Sequence, residues 1–301
     1  MNITSPVTGK NNVSIVKKID TSKVISIYKE SLQLNVRRFF DGLDTISLCL
    51  CNDTGYRFYH PATIFGDDQF YQELEKFEEY YPSDKWEYQE ALRMIGEGEK
   101  VLEIGCGEGY FMQLLSAKNC AQLKGLELNT KAIEVAEKKG LDVTNAFIED
   151  FAAQHPGSFD VVCAFQVLEH IYPIQQFVSA ALKALKPGGK LIICVPNNNP
   201  YLYKHDFFHM LNLPPHHAGL WNRQTFGRLP TFFPMKLDTV SIEPLTDYKV
   251  WYQTQVAFLK EKGNSAHRLL SMVPRPVYKC ILKTLRHFIE GRNILVKFVK
   301  N

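Results

Sequence analysis

The sequence predicts an α/β protein built on a parallel sheet covered by helices on both faces. Two observations carry this: apolar runs of strand length that are almost unbroken by polar residues, and amphipathic helical stretches that alternate with them from residue 96 to residue 199. A third is the glycine-rich junction that closes the first of these runs, where a strand passes straight into a helix.

Taken in order, residues 1–55 are polar, lack a sustained period and are read as an N-terminal extension. They contain two turn-like elements of similar outline, Ser5-Pro6-Val7-Thr8-Gly9 and Cys51-Asn52-Asp53-Thr54-Gly55. Each has the outline of a C-x-x-C-G zinc knuckle, but of the four positions Ser5, Thr8, Cys51 and Thr54 only one can supply a thiolate, whereas a structural zinc site uses four ligands. A metal-free turn is expected. From Asp67 to Met94, Leu74, Phe77 and Tyr81 recur at helical spacing, which predicts a helix there and another around Lys85 to Ile95. Strands are then predicted at Lys100 to Ile104, Leu123 to Leu128, Val143 to Ile148, Phe159 to Gln166 and Lys190 to Val195. Helices are predicted at Tyr110 to Ala117, Thr130 to Lys139 and Ile174 to Leu185. Later strands are read at Lys236 to Ile242 and Asn293 to Val299. The chain divides into residues 1–66, an extension, and residues 67–301, the main domain, with a helical insert over about 244–291.

Composition bounds the function. With 301 residues, 45% of them hydrophobic, the chain can bury a full core. Its 35 basic and 32 acidic residues leave a net charge of +3, which gives no reason to expect nucleic acid as a partner. No apolar run reaches the roughly 18 residues of a spanning helix, and Met1 to Lys18 lacks the features of a signal peptide. Seven scattered cysteines, several inside apolar runs, suggest reduced thiols and a cytoplasmic location. The insert suits a substrate cover, and its basic residues, from Lys260 to Arg286, suit solvation, a docking site for a phosphorylated or lipid-linked sugar, or peripheral contact with a membrane surface.

The sharpest motif is Val101-Leu102-Glu103-Ile104-Gly105-Cys106-Gly107-Glu108-Gly109-Tyr110. Glycines let the backbone approach a ligand, and the helix start presents free N–H groups. A dinucleotide site places a third glycine where Tyr110 stands, and Glu103 would repel a pyrophosphate while favouring a cationic amino group. Glu127, ending the second strand, can accept hydrogen bonds from ribose hydroxyls, with Leu128 beside it. Glu149-Asp150-Phe151 follows the third strand, where an acid and an aromatic can hold an adenine; Asp150 could equally cap a helix. Gln166 ends the fourth strand, Glu169-His170 follows, and Lys186-Pro187-Gly188-Gly189 turns into the fifth.

As an ordered set these signatures resemble the class I S-adenosylmethionine-dependent methyltransferases over residues 96–199. The resemblance implies a Rossmann-like, seven-stranded, mostly parallel sheet whose last strand is antiparallel. It also implies S-adenosylmethionine bound by Glu103, Gly105, Cys106, Gly107, Gly109, Tyr110, Glu127, Leu128, Glu149, Asp150, Phe151 and Gln166. The turns at Ser5 and Cys51, and Pro214-Pro215-His216-His217-Ala218-Gly219-Leu220-Trp221, look like those of bacterial small-molecule methyltransferases that modify surface polysaccharides or lipids. The acceptor is then a small molecule or saccharide.

Methylating a neutral hydroxyl requires a base. His217 is the first candidate, with Trp221 as a pocket wall; His216 and then His170 are the alternatives. Ubiquinone-biosynthesis O-methyltransferases carry a similar Glu-His pair with an upstream glutamate able to hold a cation. Here that position is Gln166, so no metal is expected and Glu169-His170 are read as the start of a helix. Two other readings stay open: a nicotinamide-dependent oxidoreductase, opposed by Glu103 and Tyr110, and a non-catalytic relative. No Asn-Pro-Pro-Tyr element follows the fourth strand, and Asn199-Pro200-Tyr201 is read as a turn. Oligomeric state is not legible.

Overall fold

In the computed structural model, residues 3–74, 85–198, 209, 212–246, 248–286 and 288–301 are described. Phe77, Tyr80, Tyr81 and the Asn199-Pro200-Tyr201 turn lie outside them.

The main sheet has seven strands. β4 (Lys100–Ile104), β5 (Gln122–Leu126), β6 (Val143–Thr144), β7 (Phe159–Phe165) and β8 (Leu185–Pro196) are parallel, and β10 (Met235–Pro244) and β11 (Glu290–Lys300) complete it in the order β10-β11-β8-β7-β4-β5-β6. β11 runs antiparallel to both neighbours, pairing Leu295 with Cys194 and Val240 with Val296. The helices between strands are α4 (Tyr110–Ser116), α5 (Thr130–Lys138), α6 (Ile148–Gln154) and α7 (Ile174–Ala184). Apolar runs unbroken by polar residues are needed because both faces are buried. Val162, Ala164, Leu191 and Ile193 enter one core with Phe177 and Val178, while Val161, Cys163, Ile192 and Cys194 enter another with Phe111 and Leu115. The Asn129 side chain caps α5 by accepting the Lys131 N–H at 2.9 Å.

The third strand is shorter than its sequence suggests. β6 ends at Thr144 and α6 begins at Ile148, so Glu149 and Asp150 stand in the first turn of a helix instead of at a strand end. Acidic residues suit that turn because they face the positive end of the helix dipole.

Residues 3–66 are more ordered than their polarity suggests. β1 (Val13–Asp20), β2 (Thr45–Cys51) and β3 (Arg57–His60) form an antiparallel sheet, with α1 (Thr21–Leu32) packed on it. The fourth strand of that sheet, β9 (Gly219–Leu220), comes from beyond β8: Arg57 pairs with Leu220 and Phe58 with Gly219. Val7, Cys49, Cys51, Tyr56 and Phe58 share the core of the main sheet. The turns at Ser5 and Cys51 have matching backbones. Gly9 donates its N–H to the Ser5 carbonyl at 2.9 Å, and Gly55 to the Cys51 carbonyl at 2.8 Å. Hydroxyls take the neighbouring amides, Thr54 accepting from Tyr56 at 3.2 Å and Ser5 from Val7 at 3.3 Å.

α2 (Asp68–Leu74) and α3 (Trp86–Met94) precede β4, and α8 (Arg223–Arg228) follows β9. Between β10 and β11 lie α9 (Tyr248–Glu261), α10 (Ala266–Met272) and α11 (Arg275–Leu285), which build a small core of their own from Leu245, Trp251, Tyr278 and Leu282. No helix among the described residues is long and apolar enough to cross a membrane.

Candidate active site

A cavity of about 1320 Å³ opens over the C-terminal ends of β4, β5 and β7, where open α/β sheets bind ligands. One wall is the loop after β4. Gly105, Gly107 and Gly109 take positive φ values of 69°, 53° and 77°. A side chain at Gly105 would also stand 2.5 Å from the Val167 methyl, so only glycine lets this loop lie against the turn after β7. Cys106, Glu108 and Tyr110 join Gly105 and Gly107 on the lining. Gly109 lies behind them as the N-cap of α4, and Tyr110 stacks on Tyr88 at 5.8 Å.

Glu127 sits at the tip of β5. Its Oε1 accepts the N–H groups of Leu128 and Asn129 at 2.8 and 2.9 Å, and its Oε2 accepts that of Gly107 at 2.8 Å. A carboxylate offers about four acceptor sites, so about one remains for a ribose hydroxyl unless the Gly107 bond yields. Leu128 is exposed beside it on the lining.

Glu103 lies beneath the loop and off the lining, only 2% exposed, and its Oε2 meets no hydrogen-bond partner among the described residues. Burial pushes its pKa well above the carboxylate range, while the charge of Lys85 pulls the other way. Such a group gains from a nearby cation, and that orphaned oxygen with the glycine cradle fits a ligand carrying an amino group next to an adenosine.

Two expected contacts are absent. Phe151 is buried in the core against Phe159 and His155, and Asp150 is exposed away from the cavity. Because β6 is short, the aromatic of this segment that reaches the cavity is Phe147, 59% exposed, with Glu149 also on the lining. Trp221 is likewise no pocket wall: it is fully buried, against Tyr56 and Phe226.

The opposite wall is built by two turns. Glu169 and His170 lie between β7 and α7 and start no helix, because α7 begins only at Ile174. The Glu169 carbonyl accepts the Ala218 N–H at 2.8 Å, which ties this turn to the segment carrying His216 and His217. That segment is anchored by the N-terminal sheet and its helix, with Tyr28 donating to the Leu213 carbonyl and Tyr59 to the Asn212 carbonyl, each at 2.9 Å. One ligating atom from each of His170, His216 and His217 lies within 4.8 Å of the others. The His170 Nδ1 is 2.8 Å from the His216 carbonyl, and the Tyr71 hydroxyl is 3.2 Å from the same oxygen. Burial lowers the pKa of His170 to about 4 and that of His217 well below 6.5, the latter helped by its neighbouring imidazoles. Burial also pushes Glu169 up to about 8. The 3.9 Å approach of Glu169 to His170 is therefore a contact of two neutral groups near pH 7, not an ion pair.

Gln166 lines the cavity in a left-handed conformation (φ 56°), and its amide nitrogen lies 3.3 Å from both Glu87 Oε1 and Asn293 Oδ1. Lys85, Glu87, Glu243 and Asn293 also line the cavity. No sequence motif flags these four, since they arrive from α3, β10 and β11.

A parallel sheet closed by one antiparallel strand, a glycine loop after its first parallel strand and a carboxylate at the tip of the next define a class I methyltransferase. The chain belongs to the methyltransferase-domain family, whose model matches residues 75–232. It is 36% identical over 112 residues to the ubiquinone biosynthesis O-methyltransferase of Thiobacillus denitrificans, covering 35% of this chain and 48% of that one. It is 30% identical over 179 residues to the enzyme of the same name from Ralstonia nicotianae, covering 54% of this chain and 75% of that one. In the first two curated relatives the chain spans about half their length, 48% and 44%. A solved SAM-dependent methyltransferase from Archaeoglobus fulgidus shares the fold at 17% identity and TM-score 0.52, covering 78% of this chain and 100% of that one.

Proposed function

We propose that the chain transfers a methyl group from S-adenosylmethionine to a hydroxyl oxygen of a small molecule with an apolar, ring-bearing body. The observation that carries this reading is a single cavity with the glycine loop and Glu127 on one wall and His170, His216 and His217 on the other.

When bound, the cofactor supplies an electrophilic methyl on a sulfonium. Glu127 would hold the ribose, the Gly105–Gly107 backbone would lie against the cofactor, Phe147 would cover the adenine, and Glu103 would favour the amino group. Holding donor and acceptor in one cavity can lower the barrier by about 7–11 kcal/mol. As the C–O bond forms and the methyl–sulfur bond breaks, leaving S-adenosylhomocysteine, the hydroxyl must lose its proton, and a neutral imidazole would accept it. Burial keeps His170 and His217 in that form. His217 is the first candidate for this role, followed by His216 and His170, and a base contributes a factor of about 10² to 10⁴.

The aromatic lining from Phe65, Tyr71, Trp86 and Tyr172 favours a flat or apolar acceptor. Relatives named for O-methylation in ubiquinone biosynthesis support the same class. A saccharide acceptor has no comparable support, and the family match displaces the nicotinamide reading. In this reading residues 1–66 brace the acceptor wall, residues 67–301 carry the catalytic sheet, and the 244–291 helices cover the cavity through Val250 and Thr254. Seven free thiols suit a reducing compartment such as the cytoplasm.

The test is incubation of the full chain with methyl-labelled S-adenosylmethionine and a panel of hydroxylated ring compounds, sugar nucleotides and amines, with products read by mass spectrometry. A methyl ether on a ring hydroxyl is expected, and His217→Ala should lower kcat by about 10² to 10⁴ at unchanged S-adenosylhomocysteine affinity. Methyl appearing on nitrogen would reject the hydroxyl assignment. Tight cofactor binding without turnover on any acceptor would return the chain to a non-catalytic role.

A further inference from the structure

We propose that His170, His216 and His217 together form a binding site for a late first-row divalent cation of the zinc class, facing the acceptor side of the cavity. The three side chains come from two turns 46 residues apart, as the His170–His216 contact records, and their ligating atoms converge within 4.8 Å. All three line the cavity.

Two further observations point to a ligand. The Nδ1 of His217, a residue 4% exposed, and the Oε2 of Glu169, 1% exposed, meet no hydrogen-bond partner among the described residues. Leaving a buried polar atom unmet is unfavourable, and a cation at the centre of the cluster would offset that cost. His170 is also oriented as ligating histidines are. Its Nδ1 faces the His216 carbonyl at 2.8 Å, which fixes the tautomer and leaves the Nε2 lone pair for a metal. The Glu169 carboxylate, 3.9 Å from that Nε2, is placed to hold a metal-bound oxygen.

The donor set decides the metal. Three imidazoles suit zinc, cobalt, nickel or iron, whereas magnesium and calcium require oxygen ligands. An oxygen-rich set built on the position of Gln166 does not form here, because that amide is engaged with Glu87 and Asn293. With three protein ligands, a fourth position stays open to an acceptor oxygen, and the cation would favour the hydroxyl in its deprotonated form. The imidazoles then act as ligands, and the metal assumes the part given above to a free base. That purpose rests on the methyltransferase reading, but the binding of the cation does not.

The experiment is titration of the chelator-stripped full chain with Co²⁺, followed by visible absorption and by calorimetry. Expected is one Co²⁺ per chain, with the d–d bands of a low-coordinate nitrogen site, displaced by Zn²⁺ and untouched by excess Mg²⁺. His216→Ala and His217→Ala should each weaken Co²⁺ by more than the roughly tenfold that loss of a supporting group costs. His267→Ala, on exposed α10, should change nothing. S-adenosylhomocysteine titration of the same variants reports whether they are folded, and His216→Asn serves where alanine does not fold. A wild-type chain that binds neither Co²⁺ nor Zn²⁺ stoichiometrically overturns the proposal, as do folded His216 and His217 variants that bind as tightly as wild type. Metal bound without any S-adenosylhomocysteine would reject the methyltransferase reading and leave this site standing.

Discussion

Glu103 and Glu127 carry the same functional group 24 residues apart, and their surroundings give them opposite behaviour. Glu127 is paired with three backbone amides at the cavity edge, whereas Glu103 lies dry beneath the loop with an oxygen unmet among the described residues. For Glu103 the folded pKa is raised above 4.5, so the folded state holds a proton that the unfolded chain has released. Its contribution is full below pH 4.5 and is lost as pH rises toward the folded value, by up to about 1.4 kcal/mol per pH unit. Urea unfolding of Glu103→Gln from pH 5 to 8 should therefore lack a decline that wild type shows; equal slopes would place the proton elsewhere. Glu127→Ala should weaken S-adenosylhomocysteine by about 1–3 kcal/mol in a calorimetric titration. Both acids stand two residues from a glycine in the sequence, which made them legible. Phe147 was not, because the segment Val143 to Ile148 reads as one strand and hides a strand of two residues followed by a helix start. Substitution separates the two aromatics. Phe147→Ala should cost about 0.5–1.5 kcal/mol of cofactor affinity with little loss of stability. Phe151→Ala should instead cost about 3–5 kcal/mol of stability, as truncating a core aromatic does.

At the scale of elements, the parallel strands were readable because burial on both faces leaves no room for polar residues, and β7 is the clearest case. The N-terminal sheet was harder. In β1 the side chains of Ile15 and Val16 are both exposed, so the strand shows no clean alternation. In β2, Ile46 and Leu48 are buried with Thr45 and Ser47 on the other face, a two-residue period that was present in the sequence and was masked by the polar stretches around it. β9 could not have been found, since two residues carry no period at all. Its dependence on glycine is nevertheless sharp: a Cβ at Gly219 would stand 1.7 Å from the Tyr56 hydroxyl and 2.3 Å from its ring. Gly219→Ala should destabilise the fold by about 1–3 kcal/mol, as overpacking does. Adding Tyr56→Ala should then cost less than the two single losses combined. Additive losses in urea unfolding would mean that the ring and the strand do not meet.

At the scale of the whole molecule, the cavity is bounded by three bodies of unequal strength: the main sheet, the N-terminal sheet fused to its core, and the α9–α11 cover with a separate core of four residues. The cover also leaves Leu269, Met272 and Phe288 exposed, the last at 86%. Trp251→Ala should remove about 3–5 kcal/mol from the cover alone. Amide exchange would then rise over α9–α11 and stay unchanged in β4, β7 and β8; a uniform rise would make the cover part of one cooperative unit. The seven-stranded plan was legible because its alternation is periodic, while the joining of residues 57–58 to 219–220 was not, because pairing between distant segments leaves no local trace. That joining has a bearing on birth at the ribosome. At about 5–20 residues per second, β3 emerges roughly ten to thirty seconds before β9. The cavity wall with its histidines is therefore the late act of synthesis, and until then β3 offers a bare edge that a chaperone, or a neighbouring nascent chain, can find first.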